Sequence, residues 1–193
     1  MIVATNNKGK ITELKSILNE LDLYTLKEKN INIDVVEDED TFLGNAKKKA
    51  KEIYEISKEG TIADDSGLCI DCLDGFPGVL THRFLGDNKT DEERNDYLIN
   101  EVNKYDNRKA KVVCYLVYYN GKDYVVGEGI IEGEISKEKR GKNGFGFDEI
   151  FLLPNGKTLA ELSPEEKNEV SARSLAAKDL VKKLKKILTK WLF

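Results

Sequence analysis

The N-terminal stretch reads Ile2-Val3-Ala4-Thr5-Asn6-Asn7-Lys8-Gly9-Lys10, a short apolar run followed by a polar turn. The apolar run predicts a buried strand, and apolar residues at helical spacing predict a helix from Lys8 to about Glu20. In α/β proteins, ligands bind just beyond the ends of such strands. The stretch therefore indicates an α/β protein and marks its first turn as a candidate site.

Strand and helix patterns alternate along the rest of the chain. Further elements are predicted as strands near Tyr24–Leu26, Ile33–Val36 and Thr61–Ala63, and as helices from Thr41 to Ser57, Asp91 to Val102, Ser163 onward and Ser171 to Trp191. Asn120-Gly121 predicts a tight turn that joins two long antiparallel strands, Lys111–Tyr119 and Asp123–Ile135. This pattern predicts an α/β domain around a mixed sheet.

Composition limits the partners that the chain can have. The 193 residues include 31 Lys and Arg against 35 Asp and Glu, which gives a formal net charge of −4. An acidic chain has no general attraction to nucleic acid or to anionic membranes, so any phosphate site must be a local cluster. Neither a membrane span nor a signal peptide is predicted. The three cysteines are expected to be buried, reduced thiols, which predicts a cytoplasmic protein.

Two clusters contain residues suited to binding phosphate and metal. In the turn Thr5–Lys10, free backbone N–H groups and the helix dipole favour an anion, whereas the alternative is a plain turn with solvated lysines. The second cluster, Asp64-Asp65-Ser66-Gly67, follows the strand that is predicted to end at Ala63. Two adjacent carboxylates suit Mg²⁺, and the alternative is a solvated aspartate turn.

Two further clusters are suited to binding a nucleoside. In Arg140–Asp148, three glycines around two phenylalanines predict a loop that presents an aromatic face and a carboxylate to a purine. The alternative is a hairpin loop whose phenylalanines lie in the core. Lys167, Ser171 and Arg173 lie near a late helix start, where the alternative is ordinary surface charge. Together the four clusters supply anion donors, metal ligands and a base platform.

Taken in order, the clusters resemble the motifs of the inosine/xanthosine triphosphate pyrophosphatases, which clear non-standard purine nucleotides. The segments that resemble that family are Ala4–Lys10 with Glu13, Asp64–Leu68, Pro77-Gly78 with Thr81–Phe84, Gly144–Asp148 with Phe151, and Ala160–Lys167 followed by Ser171–Arg173. They span nearly the whole chain in one order. The resemblance is therefore specific, although no single motif would be.

The resemblance implies an elongated mixed β-sheet flanked by helices, in a single domain over residues 1–193 whose two lobes have a central cleft between them. It also implies a homodimer that hydrolyses ITP, dITP and XTP to the monophosphate and pyrophosphate. The substrate-binding residues that it implies are Thr5, Asn6, Asn7, Lys8, Gly9, Lys10, Ser66, Phe145, Gly146, Phe147, Asp148, Lys167, Ala172 and Arg173. Glu37 and Asp65 would bind Mg²⁺, and Asp65 would also be the catalytic base for water.

Two departures from the family pattern bear on the choice of base. Ala172 stands where the family often has His, which removes one donor to the base, and Phe147 stands where Tyr is common, which removes a hydroxyl but keeps the stacking surface. Two alternative functions are a broader nucleotide pyrophosphatase and a nucleotide-binding sensor without catalysis. The Asp64-Asp65 pair disfavours the sensor, because binding alone needs no water-activating carboxylate.

Overall fold

The computed structural model describes residues 1–86 and 88–190, the side chains of residues 188–190 excepted. The strands within these ranges are β1 (Ile2–Val3), β2 (Tyr24–Thr25), β3 (Thr61–Ile70), β4 (Lys109–Tyr119), β5 (Tyr124–Ile135) and β6 (Phe151–Leu152). The α-helices are α1 (Lys8–Ile17), α2 (Phe42–Ser57), α3 (Asp91–Val102), α4 (Pro164–Val170) and α5 (Ala172–Lys190).

The strands form one mixed sheet in the order β2-β1-β3-β4-β5-β6. β1 runs parallel to β2 and β3, with Ile2 opposite Tyr24 and Thr61. β6 runs antiparallel to β5, with Phe151 opposite Ile135. The mixed sheet and its helices confirm the predicted α/β class. The single domain with a cleft between its lobes stays a prediction.

The chain folds as two compact units. The first contains Met1–Asp65, Cys114–Gly129 and the described residues from Ala172 onward, and the second contains Ser66–Val113 and Ile130–Ser171. No helix in the described part of the chain combines the length and the apolar character that a membrane span requires.

In the first unit, local sequence signals set the ends of the helices. Thr41 caps α2 by accepting a hydrogen bond from Gly44 N, as its position before an amphipathic run predicts. Ala46, Ala50 and Ile53 lie on one face of α2 and are buried in a core with Ile2. This packing holds α2 against the sheet and so fixes where its polar side chains lie.

Glycines let α5 pack closely against β5 in the first unit. A Cβ added to Gly127 would lie 2.1 Å from Ala176 O, and one added to Gly129 would lie 2.0 Å from Ala172 O. Both distances are shorter than any van der Waals contact. Only glycine therefore permits the observed approach of helix to strand.

In the second unit, capping boxes start two helices. Thr90 and Glu93 exchange side-chain and backbone hydrogen bonds at the start of α3, and Ser163 and Glu166 do the same at the start of α4, where Pro164 is the first helical residue. These starts confirm the predictions made from the sequence. The predicted end of the last helix at Trp191 lies outside the described residues.

One predicted strand does not form, and the predicted ends of β3 and α1 are wrong. No strand forms at Ile33–Val36, where Ile33 and Val35 instead pack against the core of the first unit in a segment without regular structure. The alternating pattern therefore reflects burial of one side of the segment and not pairing with a neighbouring strand. β3 does not end at Ala63 but continues to Ile70. Lys10 and Arg173 compensate the buried charge of Asp64, the first polar residue after Ala63. α1 ends at Ile17, one turn before Glu20.

Candidate active site

The turn before α1 is built by its own polar side chains. Asn7 caps the helix by accepting a hydrogen bond from Lys10 N at 3.1 Å, and Thr5 Oγ1 accepts one from Asn7 N at 3.2 Å. Asn6 and Lys8 are exposed, and Gly9 is half-buried. The first amides of α1 and the Lys8 ammonium thus make this helix N-terminus suitable for an anion.

Behind this turn lies a buried cluster of charges. Lys10 Nζ is 3.1 Å from Asp64 Oδ2, and Arg173 Nη2 is 3.2 Å from the same oxygen. Arg173 also forms an ion pair with Glu13 of α1 through Nη1. The other carboxylate oxygen, Asp64 Oδ1, is buried and has no hydrogen-bond partner among the residues that the structure describes. Asp64 therefore fixes Lys10 and Arg173 while keeping one acceptor unused.

The electrostatics of this cluster favour an ionised Asp64. Burial by itself opposes the charge, but Lys10, Arg173 and Lys49 outweigh it and hold the pKa of Asp64 well below its usual range. For Arg173, burial likewise opposes the charge, but Asp64 leads the neighbouring groups that raise its pKa. Asp64 and Arg173 are therefore both charged at neutral pH.

Asp65, the next residue on β3, has the opposite electrostatic character. Burial raises its pKa to about 6, and the negative charge of Glu37 adds to the effect. Asn45 Nδ2 donates a hydrogen bond to Asp65 Oδ2 at 3.0 Å, and Lys49 Nζ lies 4.0 Å from Asp65 Oδ1. A carboxylate that is oriented in this way, with a pKa near neutrality, is suited to accepting a proton.

The structure also tests whether Glu37 and Asp65 suit a cation. Lys49 Nζ forms an ion pair with Glu37 and approaches Asp65, so both carboxylates face one positively charged atom. No group of three or more His, Cys, Asp or Glu side chains among the described residues is arranged to hold a metal. Mg²⁺ in phosphate-binding sites commonly uses only one or two protein carboxylates with water and substrate oxygens. The donor set therefore fits such an ion.

Asn45 and Lys49 were not identified from the sequence as site residues. They lie one turn apart on α2 and are almost fully buried, beside the apolar residues Ala46 and Ala50. Polar residues next to an otherwise apolar helix face are a signal that could have found them, because a buried amide or ammonium requires a partner.

In the second unit, Gly144–Asp148 forms a tight loop, called the base loop below. Asp148 Oδ2 accepts hydrogen bonds from Phe145 N at 2.8 Å and from Lys167 Nζ at 2.6 Å. The Lys167 ammonium also lies 4.8 Å from the centre of the Phe145 ring. Gly144 has φ +83°, and a Cβ there would lie 2.1 Å from Asp148 Oδ2. The loop is thus wrapped around one buried carboxylate–lysine pair.

The remaining candidate residues are close in sequence to the residues of the charged cluster or of the base loop. Phe147 is half-buried, so its ring is not a core residue as the alternative interpretation of the loop required. Ser66 is buried and follows Asp65 on β3 at the start of the second unit. Ala172 is buried and begins α5. Arg173 lies in the first unit with Asp64 and Glu13, and its assignment to the base stays a prediction.

The cysteines offer no reactive centre. Cys69, Cys72 and Cys114 all carry free thiols. The predicted burial is confirmed for Cys114 and is wrong for Cys69 and Cys72, which are half-buried because they lie at the end of β3 and in the turn after it. Burial raises the pKa of Cys114, the one nearest the charged cluster, to about 12. A thiol that stays protonated at neutral pH is a poor nucleophile, so the chemistry of the site depends on its carboxylates and cations.

This arrangement is accompanied by similarity to known proteins over most of the chain. The model of the Ham1 family matches residues 1–183. The chain belongs to the Ham1 family. Membership confirms the resemblance that the ordered motifs indicated.

Relatives and solved structures of the Ham1 family agree in fold and length. The chain is 40% identical over 192 residues to a dITP/XTP pyrophosphatase of Clostridium tetani, with 96% of each chain covered. It is 43% identical to a dITP/XTP pyrophosphatase of Aquifex aeolicus, again with 96% of each covered. The structure of the Staphylococcus aureus Ham1 protein superposes with a TM-score of 0.86 at 36% identity, covering 95% of this chain and 97% of that one.

Proposed function

We propose that this chain hydrolyses non-standard purine nucleoside triphosphates, namely ITP, dITP and XTP, to the monophosphate and pyrophosphate. The observation that carries the proposal is the contrast between two neighbours on β3. Asp64 is held ionised between Lys10 and Arg173, whereas Asp65 has a pKa of about 6. The first organises positive charge for a polyphosphate, and the second is suited to activating water.

The triphosphate binds at the start of α1 in this proposal. Backbone amides of the turn, the Thr5 and Asn7 side chains and the exposed Lys8 ammonium contact phosphate oxygens. Lys10, which is fixed by Asp64, stabilises the negative charge that builds up on the leaving pyrophosphate. Because that charge grows in the transition state, a cation fixed beforehand lowers the barrier without having to reorganise.

Asp65 acts as the general base. It takes a proton from the attacking water, whose oxygen forms a bond to the α-phosphorus. The bond from that phosphorus to the oxygen bridging the α and β phosphates then breaks, and pyrophosphate leaves with the bonding electrons. The hydrogen bond from Asn45 orients the carboxylate for this transfer.

We propose that Mg²⁺ is the cofactor, held by Glu37 and Asp65. Both carboxylates face Lys49 Nζ, which supports their ability to share a cation. A bound Mg²⁺ would neutralise phosphate charge and lower the pKa of adjacent water. Glu37→Gln is expected to weaken Mg²⁺ binding measured by calorimetry. Unchanged Mg²⁺ affinity in that variant would remove Glu37 from the site.

The base is selected by the base loop together with Lys167 and Arg173. Phe147 provides the stacking surface, and donors facing O6 of a 6-oxo purine would meet the amino group of adenine instead. An unpaired buried polar group costs about 1–3 kcal/mol, which corresponds to roughly tenfold to hundredfold discrimination. Because Ala172 stands where the family often has His, we expect the discrimination between bases to be smaller.

One assay tests the proposal. ITP, dITP, XTP, GTP and ATP are compared with Mg²⁺ present, and monophosphate is resolved from diphosphate. We expect the first three to be preferred and Asp65→Asn to abolish turnover, whereas Asp34→Asn, the same change at an exposed position, leaves it intact. Equal rates for all five would indicate a broader pyrophosphatase. Tight binding without pyrophosphate release would indicate a sensor.

We also propose a cytoplasmic homodimer. Free thiols are consistent with a reducing compartment, and Leu80, Leu85 and Tyr97 are large apolar side chains that are exposed in the single chain. Light scattering coupled to size-exclusion chromatography tests the second copy. A mass equal to one chain, 21.8 kDa, at micromolar concentration would contradict it.

A further inference from the structure

We propose that Asn95 and Asp91 of α3 are positioning residues that hold the base loop in the conformation that reads the purine. The inference rests on the proposed role of the base loop in base selection. Neither residue belongs to a motif that the sequence identified as a site. Both contact the loop at one residue, Gly146, across more than fifty positions of sequence.

The contacts hold Gly146 at both of its peptide groups. Gly146 N donates a hydrogen bond to Asp91 Oδ2 at 3.0 Å, and Gly146 O accepts one from Asn95 Nδ2 at 2.9 Å. The N–H belongs to the peptide that joins Phe145 to Gly146, and the C=O belongs to the peptide that joins Gly146 to Phe147. Holding both peptide planes determines φ and ψ of Gly146. It therefore sets the orientation of Phe147, the proposed stacking surface, relative to Phe145.

Gly146 needs such support because of its own conformation. Its φ of +63° lies in the left-handed region, where glycine has no steric preference for a single state. Contacts to its peptide groups therefore help to select the conformation. Within the loop, Asp148 Oδ2 accepts a hydrogen bond from Phe145 N, and Phe145 O accepts one from Asp148 N at 3.3 Å. These bonds close the two ends of the turn, whereas the bonds to Gly146 between them come from α3.

α3 is itself a firm support. Asp91 and Asn95 are four residues apart, so they project from one face of the helix. Between them, the buried Arg94 donates hydrogen bonds to Phe84 O at 3.0 Å and to Gly86 O at 2.8 Å, which ties the start of the helix to the segment before it. Asn95 is only 2% exposed, so its rotamer is set by packing. A rigid second layer of this kind is what a binding loop requires for a defined geometry.

The first test removes the donor at Asn95. Asn95→Ala is expected to lower the ITP-to-GTP ratio of kcat/KM about fivefold, because one hydrogen bond of ordinary strength is lost and the loop gains other conformations. Asn95→Asp is expected to lower it further, since a carboxylate would face Gly146 O. The matched control is Asn100→Ala, the same change at an exposed position of α3, which should keep the wild-type ratio.

A second variant keeps the test valid if Asn95→Ala does not fold. The Asp91 side chain is 52% exposed, so Asp91→Ala should fold, and it is expected to lower the same ratio. Glu92→Ala is its control, because it removes another acidic side chain from the first turn of α3, one that pairs with Lys139 and not with Gly146. Asp91→Asn, which keeps an acceptor oxygen, should restore most of the ratio.

Inorganic triphosphate separates positioning from general damage, because it has no base. Its inhibition constant should be unchanged in the Asn95 and Asp91 variants. An equal loss for ITP, GTP and inorganic triphosphate would indicate a purely structural role and overturn the inference.

Phe147→Ala separates failure of this inference from failure of the proposed function. If Phe147→Ala lowers the ITP-to-GTP ratio and Asn95→Ala and Asp91→Ala do not, the inference is wrong and the base loop keeps its role. If none of the three changes the ratio, the base loop does not select the base, and both are wrong.

Discussion

Replacing Asp64 by asparagine removes a fully buried charge that lies 3.1 Å from Lys10 Nζ and 3.2 Å from Arg173 Nη2. Both cations then stay buried without their shared anion, although Arg173 keeps its ion pair with Glu13. Breaking a buried ion pair from one side costs about 3–5 kcal/mol. In a chain of this size, where 1 kcal/mol shifts the melting temperature by about 2–4 °C, we expect Tm to fall by about 6–20 °C.

The same substitution at Asp65 should have the opposite effect. Burial raises the pKa of Asp65 from its ordinary value of 3.8 to about 6, so its charge destabilises the folded state at neutral pH. At about 1.36 kcal/mol per pKa unit, that cost is about 3 kcal/mol. Asp65→Asn keeps an oxygen that can accept from Asn45 Nδ2, but it takes one anion from Lys49. We therefore expect unchanged stability or a gain of up to about 3 kcal/mol at pH 7.

The expected pH dependence of stability follows from the opposite pKa shifts of Asp64 and Asp65. The folded pKa of Asp64 is depressed, so its stabilisation is full above about pH 4 and is lost as the pH falls below 3.8 through the folded value. The folded pKa of Asp65 is raised, so wild type should gain stability as the pH falls from about 7 towards 4. The advantage of Asp65→Asn over wild type should disappear over the same window.

The assay is urea denaturation of both variants at pH 7 and pH 4.5, with a chelator present so that no metal contributes. Asp34→Asn, at an exposed position, controls for the substitution itself. If Asp64→Asn lies within about 1 kcal/mol of wild type, the buried cluster is not the stabilising feature described above. Equal losses in the two variants would refute the assignment of opposite electrostatic environments.

Three further predictions concern the phosphate turn, the base and the packing of α5. Lys10→Ala should lower kcat/KM for ITP, XTP and GTP by a similar factor in steady-state kinetics, because a phosphate contact is blind to the base; a loss confined to one base would contradict this role. Arg173→Ala should narrow the ITP-to-GTP ratio of kcat/KM, and Ala172→His should widen it; an unchanged ratio in Arg173→Ala would place the base reader elsewhere. Gly129→Ala should lower the free energy of unfolding by about 1–3 kcal/mol or more. The new methyl would lie 2.0 Å from Ala172 O and 2.6 Å from Ala176 N. If denaturation shows wild-type stability, α5 can shift to make room for the methyl.

The sequence by itself determined the features that depend on near neighbours. The caps at Thr41, Thr90 and Ser163 were predictable, because a capping side chain bonds to backbone within three residues. The turn between β4 and β5 was predictable for the same reason, since Asn120 Oδ1 accepts hydrogen bonds from Lys122 N and Asp123 N there. The ordered motifs also indicated the family, since their residue types and order are visible without coordinates. The alternating residues of Ile33–Val36 predicted a strand that does not form, because this prediction also used near neighbours only. One-sided burial produces that alternation whether or not a partner strand exists.

Tertiary structure decided what depends on residues far apart in the chain. An aspartate pair inside a strand looked like a strand end, because the cations that pair with Asp64 are distant in sequence: Lys10 lies on α1, and Arg173 is 109 residues away. The same holds for Asp65, whose pKa depends on burial and on α2, and for Gly146, whose peptide groups are held from Asp91 and Asn95 on α3. Charge compensation, desolvation and hydrogen bonding between distant segments exist only once the chain has folded, so residue types and spacing could identify the candidate groups but not their partners.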